Sequence, residues 1–316
     1  MTVTDVAAGA QVSAATPRRR RPRSAMRRQE RRWGLAFVAP TMIGIAILYV
    51  GPMVVSLGMS LTRWSTFEEP TFVGLENHVR VWTDPAVWRA TLNNLVYTAI
   101  VLLGVPVAVF FAGLLARPGL RFTRVYRALF FLPYVAMPTA IAMVWRMIFN
   151  RDFGIVNSAM GALGLPRPAW LTTEWLALIV VALVALWMSI GFKLVILLAG
   201  LQSIPPELYE AASLDGASSW RQFWHVTVPL LTPSIFFLTV TTAIGGFQVF
   251  DLVYVLLGQS NPVINESQSL VYLFYHAAFP ADDKGYASAL ALLVLLFVGV
   301  CTAVQFRVQK WWVHYD

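Results

Sequence analysis

Six long stretches of mostly apolar residues constrain what this chain can fold into more than any other feature. Each has about 18 or more residues with at most one charge, which is enough for a helix to cross the hydrocarbon core of a bilayer. The predicted spans cover about residues 35–61, 91–116, 128–149, 175–201, 233–257 and 286–306, with a kink at Gly51-Pro52. Only 13% of the residues are charged, whereas soluble domains carry about 25%. The sequence therefore predicts an all-α polytopic membrane protein with a transmembrane domain over residues 33–316.

Basic residues are divided unevenly between the two ends of these spans. Most of the 24 lysines and arginines lie in the first 32 residues, in the loops 117–127 and 202–232, and after the sixth span. Loops rich in these residues stay in the cytoplasm, so both termini and the loop 202–232 are predicted to be cytoplasmic. The other side would carry three longer loops, 62–90, 150–174 and 258–285.

Residues 1–32 form a separate, strongly basic segment. They are rich in Ala, Ser, Pro and Arg and lack apolar periodicity, which predicts a disordered cytoplasmic tail. An export signal fits poorly, because the apolar run that follows is too long and lacks a cleavage site. We expect the tail to fix the orientation of the first span and to touch anionic lipid headgroups, and not to bind nucleic acid.

The loop 202–232 has the pattern of two short helices joined by a tight turn. Pro205-Pro206 followed by Glu207 is typical of a helix start, because proline pre-sets φ and an early carboxylate suits the positive end of a helix. Asp215-Gly216 is a stop signal, since glycine readily adopts the left-handed conformation that ends helices.

The second of these helices should begin near Ser219. It should expose Phe223 and Trp224, beside small residues at Ala211-Ala212 of the first helix. Small side chains let another backbone come close, and aromatic side chains anchor in pockets of a partner. These features favour a protein partner, and an amphipathic helix resting on the membrane face is the alternative.

The spacing within this loop matches a known pattern. Glu210-Ala211-Ala212, Gly216, Val226 and Val228-Pro229 stand at the intervals of the cytoplasmic EAA loop, with two valines in place of the more common Ile and Leu. The loop thus resembles that of the permease subunits of bacterial ABC importers. The resemblance assigns coupling to a partner ATPase to Glu210, Ala211, Ala212, Asp215, Gly216, Phe223 and Pro229.

Four further segments are similar to the carbohydrate branch of this family. They are NNLVYT at Asn93, RALFFLPY at Arg127, FDLVYVL at Phe250 and GYASALALLV at Gly285. The resemblance covers about residues 33–308. It implies a six-helix fold of the type I importer permeases in the plasma membrane of a bacterium.

The resemblance also implies partners and the place of the cofactors. The partners would be a second homologous permease, a dimer of ATP-binding subunits, an extracytoplasmic solute-binding protein and the surrounding membrane lipid. ATP and Mg²⁺ would bind to the ATPase, so no cofactor is expected on this chain.

Motifs of enzymes are missing from the sequence. A phosphate-binding P-loop ends in Gly-Lys-Ser/Thr, but the three lysines, Lys193, Lys284 and Lys310, follow Phe, Asp and Gln. The four histidines are scattered without metal-ligand spacing, and the single Cys301 allows no intrachain disulfide. We therefore predict no catalytic residue and no metal site.

Polar and small residues inside the fourth and fifth spans are candidates for a solute path. Intramembrane polar groups are costly, and sugars need flat aromatic faces together with amide or hydroxyl partners. The candidates are Trp187, Ser189, Phe192, Thr242, Gly245, Gln248 and Asp251. Helix packing by Gly and Thr is the alternative.

The helical period gives these candidates an arrangement. We expect positions 241, 245, 248 and 252 to form one stripe that faces the path together with Trp187 and Ser189. Lys193 in the fourth span should instead snorkel towards the cytoplasm.

Two other classes of protein are alternatives to a permease driven by an ATPase. A stand-alone ion-coupled secondary transporter usually has more spans and charge relays within the membrane. A membrane-embedded enzyme would need clustered acids or a histidine motif at a membrane face. The sequence offers few buried charges and no such cluster, and it does not identify the solute.

Overall fold

The computed structural model describes residues 23–117 and 119–313, and its regular structure is almost entirely helical, as predicted. The helices are α1 Arg23–Ile45, α2 Gly51–Ser60, α3 Glu76–Thr83, α4 Pro85–Leu102, α5 Gly104–Leu115, α6 Thr123–Val135, α7 Pro138–Ile148, α8 Ile155–Ala162, α9 Glu174–Gln202, α10 Pro206–Leu214, α11 Ser219–Gln222, α12 Val228–Leu230, α13 Thr232–Phe247, α14 Asp251–Leu257, α15 Ile264–Ser267, α16 Leu270–Ala278 and α17 Lys284–Val308. Two short strands, β1 Thr62–Arg63 and β2 Thr71–Phe72, form an antiparallel hairpin.

The first structural unit ends at Val54 and contains α1, a π-helical turn and the start of α2. In the π turn the N–H of Gly51 donates to Ala46, one residue further back than in an α-helix. This turn takes up the kink predicted at Gly51-Pro52, so Arg32–Ser60 remains one candidate span. α1 begins inside the segment predicted to be disordered, and the rest of that tail, residues 1–22, lies outside the described residues.

Helices long and apolar enough to cross a membrane number four in the described residues, or six if two bent pairs each count as one span. The unbroken ones are Arg32–Ser60, Pro85–Leu115, Glu174–Gln202 and Lys284–Trp311. The bent pairs are Thr123–Val135 with Pro138–Ile148, at 95°, and Ser219–Leu230 with Thr232–Phe247, at 64°. The predicted polytopic helical fold is therefore confirmed, but two of its spans are not straight.

The third span breaks between α6 and α7. Pro138 restricts the residue before it to extended conformations, and Met137 accordingly has φ −58° and ψ 122°. Ala136 is extended as well, with ψ 146°. The prediction of one continuous helix over 128–149 is therefore wrong, although its proline was visible in the sequence.

The fifth span breaks at Gln248, so the prediction of a continuous helix over 233–257 is also wrong. α13 ends at Phe247, and α14 begins at Asp251 after three intervening residues. The break is held by Asn94 of α4, whose Nδ2 donates to the carbonyl of Gly246 at 2.9 Å. Its Oδ1 accepts from the N–H of Leu270 at 2.8 Å, which places the start of α16 beside the break.

α9 lies at the centre of the helical core and packs against α4, α5 and α6. Its inward residues, such as Val181 and Leu197, are fully buried. Gly191 brings α9 very close to α6, because a Cβ there would lie 2.2 Å from the carbonyl oxygen of Phe130. Small residues permit such close helix contacts in membranes.

The loop 62–84 is clamped to the start of α17. Arg80 pairs with Asp283 at 2.5 Å, and the hydroxyl of Tyr286 donates to Asp84 at 2.6 Å. The hydroxyl of Thr66 donates to Asp282, and this bond holds the pKa of the Asp282 carboxyl below its usual value. These contacts make the loop an ordered segment.

Candidate coupling loop and solute path

The predicted helix–turn–helix is present and its first helix has the predicted limits. α10 begins at Pro206, with Glu207 in its first turn, and ends at Leu214. Gly216 has φ +75°, the left-handed conformation that glycine adopts without strain. The N–H of Ala217 donates to Ala212 at 2.9 Å, which completes the hydrogen bonding expected of a glycine-terminated helix.

The second helix begins at Ser219, as predicted, and is tied to the first. The side chain of Ser218 caps it by accepting from the N–H of Arg221. Gln222 Nε2 donates to Ser213 Oγ at 2.9 Å and to the carbonyl of Ala217 at 3.1 Å. These bonds connect the two helices across the turn and make the segment one rigid piece.

A π-helical turn, Phe223–Thr227, continues the second helix into α12. The N–H of Val228 reaches back to the carbonyl of Phe223, and the next residue, Pro229, has no N–H to donate. Thr227 Oγ1 lies 3.0 Å from the hydroxyl of Tyr209 in α10. This contact braces the two helices at their membrane end.

Phe223 is partly buried and packs against the helical core, so the prediction that it belongs to the exposed face is wrong. Its ring packs on α5, where a Cβ added at Gly113 would lie 2.6 Å from Phe223 Cε2. The exposed aromatic residues of the loop are Trp220 and Trp224, which are 59% and 49% exposed. The spacing of Trp220, Phe223 and Trp224 in the sequence does not determine which of the three rings packs inward.

The loop also exposes an apolar residue at its turn, which was not predicted. Leu214 is 89% exposed, next to the exposed Ala211 and the half-buried Ala212. Glu210 and Asp215 are exposed as well, and Pro229 is half-buried. The sequence did not single out Leu214 or Trp220, although an apolar residue at a polar turn is a usable signal.

A cavity of about 620 Å³ lies between this loop and the ends of α5 and α9. Phe110 and Leu114 of α5 line one part of it, Tyr209 and Phe223 line another, and Arg117 follows α5 there. The loop therefore leaves a gap beside its contacts with the helical core, which are made by Tyr209, Phe223, Val228 and Leu230.

Three of the solute-path candidates are exposed at or near the break of the fifth span, and they are called together the open surface at this break. Gly245, Gln248 and Asp251 are exposed, and Thr242 is partly exposed. No atom lies within 4 Å of a Cβ added at Gly245. The predicted stripe ends at the break, because the change of helix turns Leu252 into the core, where it is 8% exposed.

Trp187 and Ser189 do not share a face, contrary to the expected arrangement. Two residues apart on a helix means roughly 200° of rotation. Trp187 meets Trp145 of α7 edge-on at 5.4 Å, whereas Ser189 Oγ accepts from Lys193 Nζ at 2.6 Å. Phe192 stacks on Tyr134 of α6 at 5.1 Å. Ser189 thus lies in a helix interface and not on the open surface.

Lys193 does not snorkel, so that prediction is wrong. Its side chain is buried, and the residue is only 1% exposed. Its Nζ donates to the carbonyl of Val101 at 3.3 Å, at the end of α4. A cation suits the carbonyl end of a helix, and α4 ends there at Leu102, with one intervening residue before α5 begins within the same span. The carbonyls at the end of α4 offer a closer partner than water at the membrane surface.

The described residues contain no group of three or more His, Cys, Asp or Glu side chains that could hold a metal ion. That this chain has no metal site stays a prediction. The loop and the open surface at the span-five break remain the two candidate functional regions.

Comparison with known proteins identifies the family. The family described as "Binding-protein-dependent transport system inner membrane component" matches residues 100–313. The chain belongs to this family. It is therefore a multi-pass permease of the inner-membrane components of such transport systems.

The permease is similar to curated proteins over nearly its whole length. It is 36% identical over 290 residues to the probable ABC transporter permease protein YesP of Bacillus subtilis (strain 168), which covers 90% of this chain and 92% of that protein. It is 32% identical over 293 residues to the lactose transport system permease protein LacF of Rhizobium radiobacter, covering 91% and 97%. It is 31% identical over 290 residues to the trehalose/maltose transport system permease protein MalF of Thermococcus litoralis, covering 91% and 97%. These relatives are permeases of sugar transport systems or of ABC transporters, and none is named as an enzyme.

Solved structures share the fold of the permease. A chain in the crystal structure of a bacterial ABC transporter involved in the import of the acidic polysaccharide alginate has a TM-score of 0.77 at 22% identity, covering 91% of this chain and 98% of that one. A second structure shows a bacterial alginate ABC transporter in complex with an alginate pentasaccharide-bound periplasmic protein, with a TM-score of 0.77. The permease therefore shares its overall fold with a chain of this transporter.

Proposed function

We propose that this permease forms, with a second homologous permease, the translocation path of an importer for a sugar or sugar-like solute. A dimer of separate ATP-binding subunits drives it, and an extracytoplasmic solute-binding protein delivers the solute. The relatives named for lactose and for trehalose/maltose support a carbohydrate. The alginate transporter in complex with a periplasmic protein supports a binding-protein partner.

The observation that carries this proposal is the geometry of the loop α10–α12. Its two helices are locked to each other by Gln222, while its exposed side presents Ala211, Leu214 and Trp220. Its inner side presses Phe223 against Gly113 in the second span. A movement of an ATPase docked on the exposed side would therefore reach the spans through a rigid contact.

The solute path in this proposal runs along the open surface at the span-five break. Gln248 can donate and accept hydrogen bonds, Asp251 can accept them, and Gly245 leaves room for a sugar ring. Thr242 lies one turn earlier, and Trp187 offers an exposed aromatic face on α9. Ser189 and Phe192 do not face the solute in this proposal. They support the surface indirectly, through their contacts with Lys193 and Tyr134.

The orientation in this proposal follows the basic residues. Both termini and the loop α10–α12 lie in the cytoplasm of a bacterium, in accordance with the positive-inside rule. The permease itself binds no ATP or Mg²⁺, which belong to the partner ATPase.

Solute uptake separates this function from a stand-alone ion-coupled transporter. Cells with and without the permease are compared for uptake of a panel of labelled oligosaccharides. We expect permease-dependent uptake that survives a protonophore while ATP is maintained, and that stops when ATP is depleted. Uptake that stops with the protonophore while ATP stays high would favour the secondary transporter.

A further inference from the structure

A second cavity, of about 190 Å³, lies where α7 and α14 both end. Phe149 and Trp170 line it, with ring centroids 5.7 Å apart. Arg146 and Arg151 line it as well. We propose that this cavity is a binding site for an oxyanion, a phosphate or carboxylate group, held by Arg146 with Arg151 adding positive charge.

Neither of these two arginines has a carboxylate partner in the described part of the chain, unlike three arginines of the loop 62–90. The ion pairs there are Arg63–Glu76, Arg80–Asp283 and Arg89–Glu266. A guanidinium offers five N–H donors in a planar fork that matches phosphate and carboxylate oxygens. Arg146 and Arg151 keep these donors available at the cavity.

The amide side chains around the cavity are already engaged. Asn150 Oδ1 accepts from the N–H groups of Asp152 and Phe153. Asn261 Nδ2 donates to the carbonyls of Leu171 and Leu257. These bonds build the wall of the cavity, in which the guanidinium groups are the charged donors for a ligand.

Arg146 lies against the protein at this site. It belongs to the last turn of α7, and a Cβ added at Gly258, just after α14, would lie 3.6 Å from Arg146 Nη1. An arginine in an apolar span is costly and usually serves a function. The guanidinium of Arg146, an exposed residue, thus lies near Gly258 beside the cavity.

The local charge favours an anion even after the helix ends are counted. The carbonyl ends of α7 and α14 each contribute roughly half a negative charge. Two guanidinium groups exceed that, so the cavity carries net positive charge. Phe149 and Trp170 add apolar faces that suit a glycerol or sugar backbone attached to the anion.

Such a group has two possible sources: the headgroup of an anionic phospholipid, or a soluble anionic solute. The full-length permease is therefore assayed in two arms. Native mass spectrometry counts phosphatidylglycerol retained by the protein from phosphatidylglycerol/phosphatidylcholine nanodiscs. Equilibrium dialysis measures radiolabelled inorganic phosphate bound in phosphatidylcholine nanodiscs.

The variants are Arg146→Gln and Arg151→Gln, with Arg167→Gln as the matched control. Arg167 lies in the same loop region but does not line the cavity. We expect Arg146→Gln to weaken anion binding at least about tenfold, because a hydrogen bond to a charged group is lost. Arg151→Gln should weaken it less, and Arg167→Gln should leave it unchanged.

The two arms assign the source. Arginine-dependent retention of phosphatidylglycerol, without phosphate binding, makes the ligand a lipid headgroup; arginine-dependent phosphate binding makes it a soluble anion. The proposal is overturned if both cavity variants bind lipid and phosphate as the wild type does. Should Arg146→Gln fail to fold, the exposed Arg151→Gln and the charge-preserving Arg146→Lys decide the same question.

Discussion

Asn94 shows how one side chain can fix a feature that spans three helices. It is 1% exposed and makes two hydrogen bonds to backbone groups, one at the end of α13 and one at the start of α16. Its neighbour Asn93 donates to the carbonyls of Glu266 and Gln268. Together they hold the segment between α13 and α16, and with it the surface proposed for the solute.

Replacing Asn94 by alanine should therefore destabilise the permease. The change leaves the carbonyl of Gly246 and the N–H of Leu270 without their partner, at a cost of about 2 to 4 kcal/mol in the free energy of unfolding. Thermal unfolding in detergent, followed by tryptophan fluorescence, measures the effect. Asn265→Ala is the matched control because Asn265 is exposed. Equal unfolding temperatures for the two variants would show that Asn94 does not hold the break.

Residue roles could be predicted from the sequence only where local pattern decides them. Gly216 was predicted correctly because a left-handed helix end depends on the residue itself. Lys193 was predicted wrongly because its partner, the carbonyl of Val101, lies 92 positions away in the chain. The segment NNLVYT at Asn93 resembled the family, but the sequence could not predict that its asparagines hydrogen-bond to distant backbone groups.

At the scale of elements, Phe223 is the main link between the loop α10–α12 and the second span. The ring fills the space above Gly113, and it stacks on Trp220 with ring centroids 5.9 Å apart. A side chain at position 113 would force the ring, and with it the loop, to move.

Gly113→Ala should therefore reduce uptake without preventing assembly. The added methyl would lie 2.6 Å from Phe223 Cε2, closer than real side chains approach. Replacing Phe223 by leucine in the same chain should restore part of the uptake, because the smaller side chain makes room. Gly299→Ala is the control, since nothing lies within 4 Å of a Cβ there. Full uptake by the Gly113→Ala transporter would contradict the proposed contact.

The positions of the spans could be predicted from the lengths of the apolar stretches, but the breaks within the spans could not. The fourth and sixth spans match their predicted limits to within a few residues, because an uninterrupted apolar run allows only one outcome in a membrane. The third and fifth spans break where a proline or a buried asparagine overrides the run. The predicted stripe on the fifth span failed for this reason, since it assumed one helical period through the break.

At the scale of the whole molecule, the proposed function requires that a movement at the loop is converted into a change of the path. The loop and the open surface at the span-five break are joined through the same helix, because α13 begins two residues after α12 ends. The shape of the loop should therefore control how much solute moves for each ATP hydrolysed.

The most direct test of this account is the ratio of solute uptake to ATP hydrolysis in proteoliposomes containing the assembled transporter. Gly216 has φ +75° with open space around it, so a substitution there acts through the backbone alone. Valine should cost about 1 to 2 kcal/mol in this conformation and distort the turn, whereas asparagine tolerates it better. We predict that Gly216→Val keeps ATP hydrolysis but loses most uptake, with Gly216→Asn closer to wild type. A wild-type uptake ratio in Gly216→Val would contradict the claim that this loop couples the permease to its ATPase.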